Sequence, residues 1–539
     1  MKIKITNLTA DLEDNRSLEE LAADRLKISV KKIHGVKILR KAVDARRYKG
    51  AGIKFNYIIE VETEKINLPR DKNIIKKIES NVENKFLTPN SKFLIKKSPV
   101  VIGFGPTGMF AALTLAMAGF EPVIFERGAD VDSRTKTVEN FFAGGDLNQN
   151  TNVQFGEGGA GTFSDGKLTT RIDDNLVGSV LKIFVEAGAP EEILYLQKPH
   201  IGTDKLREVV KNIRKKILEL GGKIYFNSQV TDFEIVDNKI SAVIVNGEER
   251  FSTDAVFLGI GHSARDTYEL LHRKNILLES KAFAVGVRIE HAQEFINFAQ
   301  YGTDFKNPKL PVADYFLTYK DLKRGRGAYS FCMCPGGQVV AATSENFQVV
   351  TNGMSNFARN SGIANSAILV TVTPADFEKN FGGDALNGIF QRHFEKLAFE
   401  VGGKNYSAPV QSVGDFLQGR AVSKNFSVQP TYPRGFKICN LAECLPIEVS
   451  ETLKDALTFW NSKIKNFAAP DVPLTGIETR TSAPCRIVRD KISRQSVSCE
   501  NLFPIGEGAG YAGGIMSSAV DGIKSAQSFC RVEGGIYEN

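Results

Sequence analysis

Little in this 539-residue sequence marks it for secretion, for a membrane or for a metal. The opening Met1-Lys-Ile-Lys-Ile-Thr6 has no basic region followed by an apolar core and a cleavage site, so the expected location is the cytoplasm. Seven cysteines, an odd number spread along a long chain, give no disulfide framework. No C-x-x-C pair points to zinc, and no metal site is expected. The stretch from about Ala282 to Pro473 carries no repeat and no low-complexity segment. A formal net charge of +7 is modest for this length and says little, over the whole chain, about nucleic acid. What remains is ordinary globular composition, 42% hydrophobic and 24% charged, in a chain longer than one usual core, so two to three domains are expected.

Long uncharged apolar runs are also scarce. The stretch Val100 to Phe120 comes near the ~20 residues that a membrane helix needs. Gly103, Gly105, Pro106 and Gly108 interrupt it where a strand must turn into a helix, and Glu121 closes it, so no membrane partner is expected. The β-branched run Val100-Val-Ile102 leads into G-x-G-x-x-G at Gly103, Gly105 and Gly108, and an Ala/Leu-rich helical segment follows. In a dinucleotide-binding unit the first glycine permits the sharp turn, the second lets the backbone approach a pyrophosphate, and the third lets helix and strand pack closely. The helix N-terminus then faces the phosphates. A second strand, Pro122 to Phe125, ends in Glu126, about 18 residues past Gly108, where a carboxylate takes a ribose hydroxyl pair.

The rest of the chain divides around this unit. Residues 1–97 read as a separate module: a strand Lys2 to Leu8, a helix Ser17 to Ile28, and a hairpin of Val36 to Arg46 and Ile53 to Val61 across Lys49-Gly50-Ala51-Gly52. A helix from Arg70 to about Asn84 completes β-α-β-β-α, which suggests a ferredoxin-like α+β module. Lys31, Lys32, Lys37, Arg40, Lys41, Arg46, Arg47, Lys49 and Lys54 gather there, which fits either a solvated basic face or a surface for an anionic partner such as RNA.

Residues 98–281 hold the dinucleotide unit and the glycine-dense Phe155 to Leu168, whose backbone can approach a ligand. A helix capped by Thr203 or Asp204 runs on to Leu220. The segments Lys223 to Phe226, Val230 to Val236, Ile240 to Val245 and Arg250 to Phe251 read as a β-meander inserted in a parallel sheet, and a buried strand from Ala255 to Gly261 follows. Residues 282–473 are mixed α+β and read as a substrate or cap domain, and residues 474–539 return through Leu502 to Glu507, a glycine loop and a closing helix.

Three features together resemble the large two-dinucleotide-binding-fold flavoprotein superfamily that includes glutathione reductase and the fumarate reductase flavoproteins. They are the glycine turn with Glu126, the small-residue strand end Leu258-Gly-Ile-Gly261 after the meander, and the late Gly506-Glu507. The phrases Gly156 to Leu168, Lys198-Pro-His-Ile-Gly-Thr-Asp204 and Tyr329-Ser-Phe-Cys-Met-Cys-Pro-Gly-Gly337 are similar, more closely, to a bacterial family described as uncharacterised FAD-dependent dehydrogenases, a match spanning most of the chain. The resemblance implies a Rossmann-like FAD-binding domain, non-covalent FAD, and hydride transfer between a small-molecule substrate and flavin N5.

The implied cofactor-binding set is Gly103, Gly105, Pro106, Thr107, Gly108, Glu126 and Arg127; Gly158, Gly159, Ala160, Gly161, Thr162, Ser164 and Gly166; Val230, Gly259 and Gly261; and Gly506, Glu507, Gly513, Gly514 and Ile515. Glu507 stands where the superfamily usually has Asp. For catalysis the candidates are His262, Glu478, Arg480 and Cys334. Imidazole titrates near neutral pH, which commends His262 and also His200 as acid–base groups. Glu478 and Arg480 fit either the orientation of an anionic substrate or a domain-interface ion pair. Cys332 and Cys334 are too close for the C-x-x-x-x-C redox pair of the disulfide reductases, although on a strand they would share a face, and Cys439 and Cys444 have that spacing but lie far downstream, so both pairs also fit buried structural thiols.

None of Gly336-Gly337, Gly382-Gly383 or Gly402-Gly403 begins a second strand-turn-helix, so NAD(P)H is expected only as a weak, direct reductant. Two other classes stay open: an RNA-directed flavoprotein using the basic module, and a non-catalytic FAD-binding redox sensor.

Overall fold

The computed structural model describes residues 1–46, 52–76, 98–381 and 389–534. Its centre is a five-stranded parallel sheet in the order Leu502–Pro504, Val256–Leu258, Val100–Ile102, Val123–Phe125, Lys223–Tyr225. Each strand is three residues long, and the side chains divide between the faces with the period of two that a pleated strand imposes. Val101, Ile124, Phe257 and Phe503 pack on one side with the helices Pro106–Met117, Thr203–Glu219 and Ile515–Gly534. Val100, Ile102, Val123, Phe125, Val256 and Leu258 pack on the other with the meander. That meander comprises Val230–Val236, Lys239–Val245 and Glu249–Ser252, inserted before Val256–Leu258. Lys223–Tyr225, expected in the meander, is instead the edge strand of the parallel sheet, because it pairs with Val123–Phe125. The Thr203–Glu219 helix has Gly202 at its N-cap, with no side-chain cap from Thr203 or Asp204.

The second domain is a seven-stranded sheet in the order Thr318–Asp321, Arg326–Cys334, Ile363–Val372, Phe283–Ala292, Pro473–Glu478, Ala408–Ser412, Phe436–Ile438. Its neighbours are antiparallel except the last pair. The helix Ile447–Lys463 packs across it and buries Trp460 completely. A division at residue 473 therefore cuts this sheet. Leu474 and Ile477 are buried in the second domain's core, and the chain leaves the sheet only after Glu478.

In the N-terminal module the strands Lys2–Asp11, Ile33–Asp44, Lys54–Thr63 and Ile74–Lys76 form one antiparallel sheet, with Ile33–Asp44 at one edge and Ile74–Lys76 at the other. The helix Leu18–Leu26 carries a capping box: the Ser17 hydroxyl accepts from Glu20 N at 3.2 Å and the Glu20 carboxylate accepts from Ser17 N at 2.7 Å. The helix expected from Arg70 is not formed at residues 74–76. Ile74 is buried opposite Ile5, and pairing with the open edge of the first strand prevails over helical pattern; residues 77–84 lie outside the described ones. Of the basic cluster, Arg47 and Lys49 also lie outside them. Arg46 pairs with Asp44, Lys54 pairs with Asp11, and the Lys41 backbone hydrogen-bonds to Tyr195 and Gln197, which docks the module on the dinucleotide-binding domain. Among the described residues no helix is long and apolar enough to cross a membrane.

Candidate functional site

The glycine turn does its work through contacts that a Cβ would forbid. Gly103 sits at φ +90°, where a Cβ would lie 2.5 Å from the Gly259 carbonyl oxygen, and at Gly108 it would lie 1.9 Å from that of Gly103. Gly105 differs: it is extended, a Cβ there would make only an ordinary contact with Gly159 Cα at 3.6 Å, and the residue lines a cavity at the start of the Pro106–Met117 helix. The first turn of that helix has N–H groups without intrahelical acceptors.

Glu126 is 4% exposed, and its carboxylate accepts from Phe104 N at 2.7 Å, Gly128 N at 3.0 Å and Gly156 N at 2.9 Å. It therefore fastens three glycine-rich loops together. A carboxylate has about four acceptor sites, so one is left for a ligand hydroxyl rather than the pair expected.

The loop after it is organised by a residue the sequence did not single out. Arg134 is fully buried and donates to the carbonyls of Asn152 (2.9 Å), Val153 (2.9 Å), Gly156 (3.1 Å), Glu157 (2.7 Å) and Gly159 (2.9 Å). Five carbonyls turned toward one guanidinium leave the opposite edge of the loop to face a cavity. Burial pulls the Arg134 pKa down to about 9, so the side chain remains a cation at neutral pH.

That cavity, of about 400 Å³, is within the range of small-molecule and cofactor sites. Its wall includes Gly103, Gly105, Pro106, Thr107, Glu126, Arg127, Gly159, Ala160, Gly161, Ser164, Gly166, Val230, Gly259, Gly261, Glu507, Gly513, Gly514 and Ile515 of the expected set. Gly108, Gly158, Thr162 and Gly506 are not in it. A Cβ on Gly158 would meet the Thr162 hydroxyl at 2.0 Å, and one on Gly506 would meet the Thr107 hydroxyl at 2.0 Å, so these residues serve close packing behind the wall. Asp521, also missed in the sequence, accepts from Gly506 N at 2.7 Å and from Arg489 and Arg494, holding that turn in place.

From the second domain, Phe331, Cys332, Asn352, Glu478, Arg480 and Thr481 line the same cavity, as does His262. Glu478 is in a two-bond ion pair with Arg288, Nε to Oε2 at 2.5 Å and Nη2 to Oε1 at 3.0 Å. Arg480 and Arg265 both donate to Glu395, and Arg480 also donates to Ser344 and Gln348. Both expected residues are thus in ion pairs and in the cavity wall at once. His262 is 9% exposed, with Nδ1 2.9 Å from the Ser263 hydroxyl. Burial, with Arg480 and Arg265 nearby, pulls its pKa down to about 3. It is neutral at pH 7 and does not titrate there, contrary to expectation.

His200 lies outside the cavity, stacked on Phe357 with Nε2 3.1 Å from its carbonyl oxygen. Cys334 is fully buried and absent from the wall; Cys332 is in it. Cys439 and Cys444 are buried in the second domain away from the cavity. Gly336-Gly337 turns between two strands and Gly402-Gly403 follows a helix end, so neither opens a second dinucleotide unit, and Gly382-Gly383 lies outside the described residues. Among the described residues no cluster of His, Cys, Asp or Glu could hold a metal.

The wall fits a dinucleotide flavin. At Gly261, Gly513 and Gly514 a Cβ would meet nothing within 4 Å, so bare backbone faces the cavity at three more places besides Gly105. Two helices, Pro106–Met117 and Ile515–Gly534, begin at the wall, suiting anionic groups. Glu126 and Glu507 offer carboxylate acceptors; burial pushes Glu507 up to about 7 against the pull of Gly514 N–H and Lys281.

Comparison with known proteins agrees. Residues 282–481 match the family model described as FAD-dependent protein, C-terminal domain-like, and residues 2–62 match a domain of unknown function. A Clostridium beijerinckii protein described as an uncharacterized protein is 50% identical over 538 residues, 98% of each chain. Three solved structures are similar at low identity. Glycerol-3-phosphate dehydrogenase from Bacillus halodurans complexed with FAD is 12% identical, covering 82% of this chain and 66% of that one, with a TM-score of 0.35. L-proline dehydrogenase from P. horikoshii is 14% identical over 82% and 95%, TM-score 0.34. Glycine oxidase from Bacillus cereus is 11% identical over 82% and 96%, TM-score 0.31. Likenesses this distant carry no functional weight. With a relative matched at 50% over nearly its whole length and the FAD-dependent family model matching residues 282–481, the chain belongs to a bacterial family of FAD-dependent proteins.

Proposed function

We propose that this protein is an FAD-dependent oxidoreductase, a dehydrogenase that moves a hydride between a small-molecule substrate and non-covalently bound FAD. The observation that carries the reading is the single cavity running from the glycine turn and Glu126 to Arg480, Glu478 and His262. Bound there, FAD supplies a site that accepts or donates a hydride at N5. The chain supplies the rest. Gly105, Gly513 and Gly514 admit the cofactor against bare backbone, and Glu126 takes one hydroxyl. Arg480, fixed by Glu395, presents a cation to an anionic substrate group. His262, neutral and tied through Nδ1 to Ser263, offers Nε2 to the cavity as a hydrogen-bonding group; a proton held there would face two nearby arginines, so a role as proton acceptor is disfavoured.

The electron donor follows the same reading. The second domain holds no further dinucleotide turn among its described residues, which supports a weak, direct approach of NAD(P)H or reduction by the substrate itself. Anaerobic mixing with NADH, NADPH and a metabolite panel, watched by flavin absorbance, tests both points. Bleaching by one metabolite with saturation supports the reading; saturable reduction by NADH or NADPH at micromolar concentration refutes the donor assignment. A flavin that no reductant bleaches refutes turnover and leaves a redox sensor. Exposed Lys31, Lys32, Lys37 and Arg40 separately support an anionic partner at the N-terminal module, for which salt-sensitive RNA retention is the test.

A further inference from the structure

The Arg326–Cys334 strand ends in an irregularity on the cavity wall. Phe331 pairs with Ala367 and Cys334 with Asn365, three steps on one strand against two on its partner. The extra residue makes a bulge, a device that re-aims side chains and is over-represented beside active sites. Within it Cys332 adopts φ +44°, a left-handed conformation uncommon outside glycine. The result places Cys332 between two spaces: it lines the 400 Å³ cavity and also a second chamber of about 300 Å³, and Phe331, Lys167 and Thr169 are the other residues common to both. Cys334 lies directly behind, fully buried, its thiol donating to the Cys332 carbonyl at 3.2 Å. Two cations fasten the bulge: Arg288 Nη1 donates to the Cys332 carbonyl at 3.0 Å and Lys167 Nζ to that of Met333.

We propose that Cys332 and Cys334 are a redox-active dithiol standing between the cofactor cavity and the second chamber, and that the chamber admits a disulfide substrate. The proposal rests on the FAD reading above. Its electrostatics divide the two roles. The Cys334 hydrogen bond, then Lys167 and Arg288, hold the Cys332 thiol well below its ordinary value against burial and Asp165. Glu478, the partner of Arg288, also faces Cys332 and opposes its ionisation. Cys334 is pushed up by Cys332 and by burial, which suits a thiol that stays protonated until it resolves an adduct. No other cysteine lines either space, and burial pushes Cys439 up to about 11 and Cys530 up to about 12. In a regular strand residues two apart have Cα atoms about 6.5 Å apart, near the upper limit for a disulfide, and the bulge with its left-handed Cys332 departs from that geometry. A bridge there would be easily reduced, as an exchanging pair requires.

The Cys332 thiolate attacks one sulfur of the substrate disulfide; the substrate S–S bond breaks, the first thiolate leaves and takes a proton from solvent. Cys334 loses its proton and attacks Cys332 Sγ, closing the Cys332–Cys334 bridge and expelling the second thiolate, which takes that proton. Two electrons from reduced FAD, replenished by a nicotinamide or other two-electron donor, and one proton reopen the bridge to the Cys332 thiolate and the Cys334 thiol.

The test uses flavin-loaded protein without oxygen. Iodoacetamide labelling followed by peptide mass spectrometry should show Cys332 reacting at pH 6 at least tenfold faster than Cys439 or Cys444. Diamide should remove two free thiols and form a bridge mapped to Cys332–Cys334, and dithionite should restore both thiols. Glutathione disulfide, used as the probe substrate, should leave Cys332 trapped as a mixed disulfide in Cys334→Ser and nothing at that position in Cys332→Ser. Full flavin absorbance with no bridge, or with Cys332 labelled no faster than Cys439, overturns the dithiol. A bridge in protein that binds no FAD overturns the cofactor reading and the electron transfer with it.

Discussion

Replacing Glu395 with alanine should be among the most damaging single changes in this protein. Glu395, on the helix Ile389–Val401, is fully buried and its two carboxylate oxygens accept from Arg265 at 2.6 and 2.9 Å, from Arg480 at 2.9 and 3.1 Å, and from the Thr479 hydroxyl at 2.5 Å. Arg265 belongs to the dinucleotide-binding domain and is itself 1% exposed, and Arg480 is 4% exposed. Removing the carboxylate leaves two buried guanidinium groups with Glu345 as the nearest compensating charge. Breaking a buried ion group in this way costs about 3–5 kcal/mol. Against burial, which pushes it up, Arg265 and Arg480 hold the Glu395 pKa at about 2 instead of 4.5, a net effect of about 3 kcal/mol at ~1.4 kcal/mol per pKa unit. The sign follows from the depressed pKa: the stabilisation is present above pH 4.5 and is lost as pH falls toward 2.

The assay is built into the chain, since its one tryptophan, Trp460, is buried in the second domain and reports unfolding by its emission. Urea titration at pH 7 should show Glu395→Ala losing about 3–5 kcal/mol and Glu395→Gln a smaller amount, because the amide keeps one acceptor oxygen. A loss below about 1 kcal/mol in Glu395→Ala would refute the claim that this network joins the two domains.

Gly105→Val and Gly103→Ala should separate binding from folding: the first keeps an allowed φ, puts its Cβ in ordinary contact with Gly159 and adds bulk to the cavity wall, so folded protein should purify without flavin absorbance, whereas the second drives a Cβ into the Gly259 carbonyl and should lower stability. Glu126→Gln turns an amide NH2 toward a backbone donor at one of three sites and should cost about 1–3 kcal/mol in stability and reduce flavin content together. Equal flavin content in wild type, Gly105→Val and Glu126→Gln would place the cofactor elsewhere. His262 is neutral in the fold down to pH about 3 but binds a proton when unfolded below 6.5, so its contribution is lost as pH falls through that window, about 2 kcal/mol by pH 5. Glu478 and Glu507, raised to about 7, act in the opposite sense, so the measurement is the difference between wild type and His262→Gln at pH 8 and pH 5; a difference independent of pH refutes the buried-neutral assignment.

The dinucleotide unit was legible in the sequence because its constraints are local. Gly103 and Gly108 answer to atoms a few residues away or on the adjoining strand, and a β-branched run, a turn and a helix lie consecutively in the chain. The same holds for the Ser17 cap and for the meander's turns. Contacts between distant segments were not legible. Arg134 reads as one more charge on a helix until the fold wraps five loop carbonyls around it. Ile74–Lys76 has a helical pattern and becomes a strand because the first strand's edge is free. Pro473–Glu478 pairs with a strand, Phe283–Ala292, that begins almost two hundred residues earlier. The chemical state of the site was decided at this level as well. Burial together with two arginines, brought from either side of the domain boundary, made His262 neutral, and one extra residue in a bulge put Cys332 in the cavity wall and Cys334 behind it. Desolvation and through-space charge depend on what packs against a residue, and only the tertiary structure fixes that.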